Sequence, residues 1–117
     1  MGDLSEHFSR YELQCRCGCG YYRHNQTLID VLEDVREHFG RPVKINSGCR
    51  CYAHNATIGG VKNSQHIHGT AADIKVDGVE PLKVWGYLVK KYPDRYGIGQ
   101  YDTFTHLDVR PGKGRWS

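Results

Sequence analysis

Apolar residues recur at helical spacing in one stretch of the first half of the chain, and a second helix signal follows in the second half. The apolar positions of the first stretch form one stripe: Leu28, Val31, Leu32, Val35 and Phe39. This spacing predicts an amphipathic helix. We expect it to follow an N-cap at Thr27, with Asp30 in the capping-box position, and to end at Gly40. Pro81 predicts the first turn of a second helix that runs to about Tyr92.

Short apolar segments around these helices predict strands. The predicted strands are residues 42–46, 71–76, 97–101 and 105–110, the last two joined by a tight turn. Two main helices and four short strands predict an α+β fold, with a small and mostly antiparallel sheet. The length of 117 residues suits one domain, so we expect a single domain over residues 1–117.

Three segments lack a periodic pattern and are predicted to be loops. Residues 1–24 are polar and rich in Gly and Cys, and we expect them to pack on the domain as a loop segment. Residues 52–69 are predicted to form a long loop, and loops of that length in a compact domain are usually functional or disordered. The last eight residues, RPGKGRWS, are predicted to be a loose tail pinned by Trp116.

Composition excludes several classes of function. Hydrophobic residues make up 38% of the chain and charged residues 25%, which is an ordinary globular balance. The net charge is only +3 and the basic residues are scattered, so we expect no nucleic-acid partner. No apolar run is long enough for a membrane span, and the start of the chain lacks the layout of a signal peptide. We therefore expect a monomer that is made in the cytoplasm and binds no membrane.

The five cysteines form two groups, Cys15, Cys17 and Cys19 in the first and Cys49 and Cys51 in the second. An odd count without a secretion signal argues against a full disulfide framework, and no pair has the C-x2-C spacing of common zinc sites. Thiols without a bond are the preferred interpretation. A structural zinc ion, or a bridge between the two groups, is the alternative.

Metal-competent side chains are concentrated in two segments, SQHIHGTAAD at 64–73 and FTHLDVR at 104–110. Asp73 lies on one predicted strand and His106 on another, so the two can meet if those strands are neighbours. Between His66 and Asp73, Gly69 and the small residues at 70–72 let the backbone fold back, which could bring the two side chains together. Two histidines and one carboxylate are a known catalytic zinc set. A zinc ion in such a set lowers the pKa of a bound water to about 7 and polarises a substrate carbonyl.

The same segments resemble a family signature. Residues 64–73 match S-x-H-x-x-G-x-A-x-D, residues 106–108 match H-x-D, and residues 45–55 read INSGCRCYAHN. Together they resemble the zinc D-Ala-D-Ala carboxypeptidase family, which includes vancomycin-resistance dipeptidases, phage L-alanyl-D-glutamate endolysins and hedgehog domains. The resemblance runs from about residue 8 to 116 and is strongest to the short, phage- and prophage-associated branch. It implies the fold of those peptidases and hedgehog domains.

The resemblance also implies roles for individual residues. It implies that His66, Asp73 and His106 bind one catalytic zinc ion. It implies that Arg50 stabilises the scissile carbonyl oxygen as that atom gains negative charge, and that Ser64 contacts substrate. His68 lies close to His66 in sequence and is a further candidate for substrate binding, although a solvent-facing role is the preferred interpretation.

The general base is the point at which this sequence departs from the family. Several relatives have Glu or Asp three residues before the last histidine, where this chain has Thr103. Asp102 is the first choice for the base. Asp108 is the second, with the alternative that it orients a zinc-bound histidine.

The resemblance implies hydrolysis of peptide bonds in bacterial peptidoglycan stem peptides or cross-links, by a carboxypeptidase or an endopeptidase. Such an enzyme would reach the cell wall if it were released by phage lysis or carried in a virion. The alternative is a non-catalytic zinc-binding module of the same fold, which recognises cell wall or forms part of a phage particle.

Overall fold

Four helices and five strands occur in the computed structural model, which describes residues 2–116. The helices are α1 (Arg10–Leu13), α2 (Gln26–Phe39), α3 (Tyr52–Thr57) and α4 (Pro81–Lys91). The strands are β1 (Val43–Ser47), β2 (Ala71–Val76), β3 (Tyr96–Gln100), β4 (Thr105–Asp108) and β5 (Lys113–Trp116). The predicted α+β class is confirmed, with α2 and α4 as its two substantial helices. Within the described residues, no helix combines the length and the apolar character needed to cross a membrane.

The longest helix, α2, begins two residues earlier than the capping pattern predicted. Its N-cap is Asn25, whose side-chain oxygen accepts a hydrogen bond from the Leu28 amide at 3.0 Å. The prediction of Thr27 was therefore wrong, since Asn is at least as good an N-cap as Thr and lies two residues before it. Asp30 instead accepts from a glutamine amide one turn earlier. The predicted end is confirmed, because Gly40 has the left-handed φ of 62° that closes a helix.

The five strands form one sheet in the order β1-β2-β4-β3-β5. All neighbouring pairs are antiparallel except β3 with β5, which is parallel. The predicted loose C-terminal tail was wrong, because residues 113–116 pair with β3. That segment has too few apolar residues for an alternating strand signal. The pairing of β2 with β4 places Asp73 directly opposite His106, as expected from neighbouring strands.

One hydrophobic core lies between the helices and one face of the sheet. Helix α2 packs on β1 and β2, while α4 packs on β3 and β4. The sheet contributes buried residues that alternate along the strands: Ile45, Ala72, Ile74, Val76, Ile98 and Leu107. Because side chains alternate between the faces of a strand, Asp73 and His106 lie on the opposite face, away from the helices.

Two short helices occur where loops were predicted. In α1, the Ser9 amide donates to the Glu12 carboxylate at 2.8 Å, which stabilises the first turn. Phe8 and Leu13 of this segment reach the core, so residues 2–24 pack against the rest of the fold. In α3, only Asn55 is buried. Because six residues with one buried position give no apolar stripe, this helix left no periodic signal in the sequence.

Candidate metal centre

Three side chains converge on the sheet face that α2 and α4 leave open. Asp73 on β2 and His106 on β4 are cross-strand partners, and His66 reaches them from the turn before β2. His106 Nδ1 lies 2.9 Å from Asp73 Oδ1, and His66 Nε2 lies 3.4 Å from Asp73 Oδ2. One ligand atom from each of the three lies within 4.8 Å of the other two, and all three residues are buried. These donors form a group that could hold a metal ion.

The second nitrogen of each imidazole is held by the protein. His66 Nδ1 donates to the Gly48 carbonyl at 2.7 Å, and His106 Nε2 donates to Asp108 Oδ2 at 2.7 Å. These bonds fix the orientation of both rings and leave His66 Nε2 and His106 Nδ1 facing the shared point. Outer hydrogen bonds of this kind are typical of metal-binding histidines. The donor set therefore fits a zinc ion held by two histidines and a carboxylate.

The charges around His106 also favour a cation. Although burial opposes it, hydrogen bonds with Asp108 and Asp73 raise the pKa of His106. Burial likewise disfavours the charged carboxylates, yet hydrogen bonds from His106 and His66 hold the pKa of Asp73 well below its usual range. The two acids therefore remain ionised around one imidazole. Asp73 therefore offers a charged carboxylate oxygen to a metal ion, which is the form of the ligand that binds a metal.

Asp108 lies beneath the three residues and is fully buried. Oδ1 accepts from the amides of Gly97 and Arg110, both at 3.2 Å, and from Arg110 Nε at 2.7 Å. Oδ2 accepts from His106 Nε2 and from Arg110 Nη2, both at 2.7 Å. Five donors use all of the lone-pair sites of a carboxylate. Despite burial, the bonds from His106 and Arg110 hold the pKa of Asp108 well below its usual range.

The Arg50 guanidinium lies against the same group. Its Nη2 is 3.4 Å from Asp73 Oδ2, while Nε donates to Ser47 Oγ at 3.1 Å and Nη1 to Asn55 Oδ1 at 3.3 Å. Burial lowers the pKa of Arg50. Gly60 packs on this arrangement so closely that an added Cβ would overlap the Asn55 side chain. The guanidinium is thus held in one orientation at the edge of the ligand group.

The other predicted site residues lie at different distances from this group. Ser64 is buried, lines the adjoining cleft and accepts a hydrogen bond from the His66 amide at 3.2 Å. His68 is exposed and bonds to Asn63 at 2.9 Å, so the structure does not place it in the cleft. Asp102 is exposed in the turn between β3 and β4 and is likewise not among the residues that line the cleft.

A cleft of about 450 Å³ opens over His66 and His106. It includes residues to which the sequence assigned no role at this site: Gly59, Gly60, Val61, Gln65, Tyr101, Arg110 and Trp116. The Trp116 indole N–H donates to the Tyr101 hydroxyl at 2.9 Å, and its ring lies 5.1 Å from that of His106. Gly99 faces this indole, and an added Cβ there would overlap it. The alternating glycines of YGIGQ are the sequence signal that could have indicated such close packing.

Comparison with known proteins identifies the family. Residues 6–108 match the model of the Peptidase M15 family, and this stretch contains His66, Asp73 and His106. The chain belongs to the Peptidase M15 family. A curated relative, the zinc D-Ala-D-Ala carboxypeptidase of Streptomyces albus G, is 30% identical over 90 residues, which cover 74% of this chain. The match spans only 35% of that relative, so this M15 chain corresponds to about a third of its length.

Proposed function

We propose that this chain is a zinc-dependent peptidase that hydrolyses peptide bonds in bacterial peptidoglycan, either in stem peptides or in their cross-links. The observation that carries the proposal is the buried group of His66, Asp73 and His106 on the floor of an open cleft. M15 membership and the name of the relative support the peptidase chemistry and the class of substrate. A phage or prophage setting, with release at lysis or carriage in a virion, stays a prediction from the sequence resemblance.

Different residues of the cleft would have different roles in such a reaction. A zinc ion held by the three ligands would supply Lewis-acid polarisation of a carbonyl and a nucleophile at neutral pH. The Arg50 guanidinium, fixed by Ser47 and Asn55, is placed to stabilise negative charge that develops on the carbonyl oxygen. Tyr101 and Trp116 form one wall of the cleft and would contact the peptide.

We propose Asp102 rather than Asp108 as the general base. Asp108 accepts five hydrogen bonds beneath the site, and we propose that it is a positioning residue for His106. Asp102 is exposed and follows Tyr101, which lines the cleft, and we propose that the turn between β3 and β4 moves to bring its carboxylate to the substrate. Its role would be to take a proton and pass it to the leaving amine. An Asp102→Asn variant should keep its metal and lose at least about 100-fold in turnover.

The test uses zinc-loaded protein and muropeptides of defined linkage, with products identified by mass spectrometry. Release of an amino acid would indicate a carboxypeptidase, and cleavage within a stem or cross-link an endopeptidase. His66→Ala should abolish both zinc binding at this site and turnover, while the exposed His24→Ala is the matched control. Full activity in His66→Ala would refute the proposed site.

A second candidate is a zinc-binding module that recognises cell wall without cleaving it. One observation favours it: the residues described as lining the cleft include no Asp or Glu. This candidate predicts that the protein sediments with purified peptidoglycan but releases no product from any muropeptide. It also predicts that Asp102→Asn has the same wall affinity as the unchanged protein.

A further inference from the structure

A second group of metal-competent side chains lies outside the cleft, where the N-terminal loop meets α3. Cys15, Cys17 and Cys19 lie in the loop, and Cys51 is the N-cap of α3. The four sulfur atoms all lie within 4.8 Å of one another although 36 residues separate Cys15 from Cys51. The fold therefore brings four thiols from two separate segments to one point.

The separations among three of these sulfurs match one coordination geometry. The Sγ atoms of Cys15 and Cys17 are 3.5 Å apart, those of Cys17 and Cys51 3.7 Å, and those of Cys15 and Cys51 3.8 Å. Four sulfurs bound to one zinc at about 2.3 Å, at the corners of a tetrahedron, lie about 3.8 Å apart. A disulfide requires about 2.05 Å. The sulfurs of Cys15, Cys17 and Cys51 thus lie at the spacing of a tetrahedral site and too far apart for a disulfide, and Cys19 Sγ lies within 4.8 Å of each of them.

Backbone conformation explains how a C-x-C-x-C segment reaches this arrangement. Gly18 and Gly20 have φ values of 90° and 80°, in the region that residues with a side chain rarely adopt. The two glycines flank Cys19 and turn the chain on either side of it, where its sulfur lies within 4.8 Å of the other three. Cys15 and Cys17 lie 3.5 Å apart with Arg16 between them, so that pair converges without a glycine.

Backbone amides surround the sulfur atoms as they do in thiolate sites. The Cys51 amide donates to Cys15 Sγ at 3.5 Å, the His54 amide to Cys51 Sγ at 3.4 Å, and the Tyr21 amide to Cys19 Sγ at 3.4 Å. Hydrogen bonds to a charged acceptor are stronger than those to a neutral one. Three amides directed at sulfur therefore stabilise thiolates, which are the form that binds a metal.

Cys49 accounts for the odd number of cysteines. It is buried, and its Sγ lies 3.4 Å from the Arg23 amide and 3.6 Å from the Arg23 carbonyl, outside the group of four. Burial raises the pKa of its thiol. Cys49 thus behaves as a small apolar side chain, and it offers a matched control for the other four.

We propose that Cys15, Cys17, Cys19 and Cys51 bind a structural zinc ion, separate from the ion of the cleft. All four ligands are protein sulfurs, which leaves no open position for substrate and is typical of a structural site. The ion would tie the N-terminal loop to the segment that holds Gly48 and Arg50. Those two residues orient His66 and Asp73 in the cleft. This inference does not depend on the proposed peptidase activity.

The experiment measures metal content in the full chain, purified without chelator. The unchanged protein should hold about two zinc ions per chain, and His66→Ala and the Cys17→Ser/Cys19→Ser double variant about one each. The control Cys49→Ser should keep about two. After cobalt substitution, thiolate-to-metal charge-transfer absorption should appear in the unchanged protein and in His66→Ala, and be absent from the Cys17→Ser/Cys19→Ser protein.

Other outcomes would overturn the proposal. Cobalt-loaded His66→Ala without thiolate absorption would refute it, and this reading holds even if the double cysteine variant fails to fold. Fewer than five reactive thiols in the denatured, unreduced protein would show disulfides in place of a metal site. If the unchanged protein shows the thiolate absorption but cleaves no muropeptide, the proposed peptidase function fails and the structural zinc site stands.

Discussion

Asp108→Asn is the sharpest perturbation that the structure offers, because it changes one atom beneath the candidate metal centre. The amide oxygen can replace Oδ1, which accepts three hydrogen bonds, and the amide nitrogen then takes the place of Oδ2. That nitrogen is a donor and would face two further donors, His106 Nε2 and Arg110 Nη2. The variant therefore keeps the shape of the side chain and reverses the hydrogen bonding at His106.

The expected cost follows from those two contacts. A hydrogen bond to a charged group contributes about 1.5–3 kcal/mol. The Arg110 side chain is 34% exposed and can turn to water, so losing its hydrogen bond to Asp108 should cost little. The His106 side chain is only 11% exposed, so losing its hydrogen bond accounts for most of the cost. We expect a loss of about 2–4 kcal/mol in the free energy of unfolding. Zinc affinity should fall by about 10- to 100-fold, because the imidazole loses the partner that orients it.

Urea unfolding with and without zinc, together with chelator competition for affinity, measures both effects. Asp77→Asn is the control, since that carboxylate is exposed in a turn and should change the free energy of unfolding by less than about 0.5 kcal/mol. If Asp108→Asn bound zinc within about two-fold of the unchanged protein and unfolded at the same urea concentration, the positioning role of Asp108 would be refuted.

Three further predictions concern other parts of the molecule. Gly60→Ala should lower turnover by about 10- to 100-fold at unchanged zinc content, because its Cβ would displace Asn55 from Arg50. Mass spectrometry measures the zinc content of the protein and the amount of product. Gly86 is exposed on α4 with open space around it, so Gly86→Ala should instead raise the free energy of urea unfolding by about 0.5–1 kcal/mol, and a decrease would contradict this reasoning. Glu33→Gln should lower the free energy of unfolding by about 1 kcal/mol at neutral pH, as urea unfolding measures it. Although burial opposes it, hydrogen bonds from the N-terminal loop lower the pKa of Glu33 below 4.5. The difference in free energy of unfolding between the variant and the unchanged protein should therefore vanish as pH falls through that lowered pKa. A difference that stays constant from neutral to acid pH would contradict this.

Local signals predicted the main elements of the fold well. The apolar stripe and Gly40 indicated α2, Pro81 indicated α4, and the apolar run at 71–76 indicated β2, because each depends on residues close together in the chain. The errors occurred where the determining contacts are not periodic. The N-cap of α2 was placed two residues late, α3 was assigned to a loop, and β5 was assigned to a tail.

The sequence by itself determined which residue types were available for a metal site, and the motifs around His66, Asp73 and His106 predicted which of them to group. Only the tertiary structure decided their surroundings. The pairing of β2 with β4 joins residues 33 positions apart, and five donors around Asp108 saturate a carboxylate that spacing alone left open as a base. The tertiary structure also brings Cys51 to the N-terminal loop. Spacing along a chain defines the neighbours on one helix or strand, whereas contacts between elements depend on how the apolar faces pack.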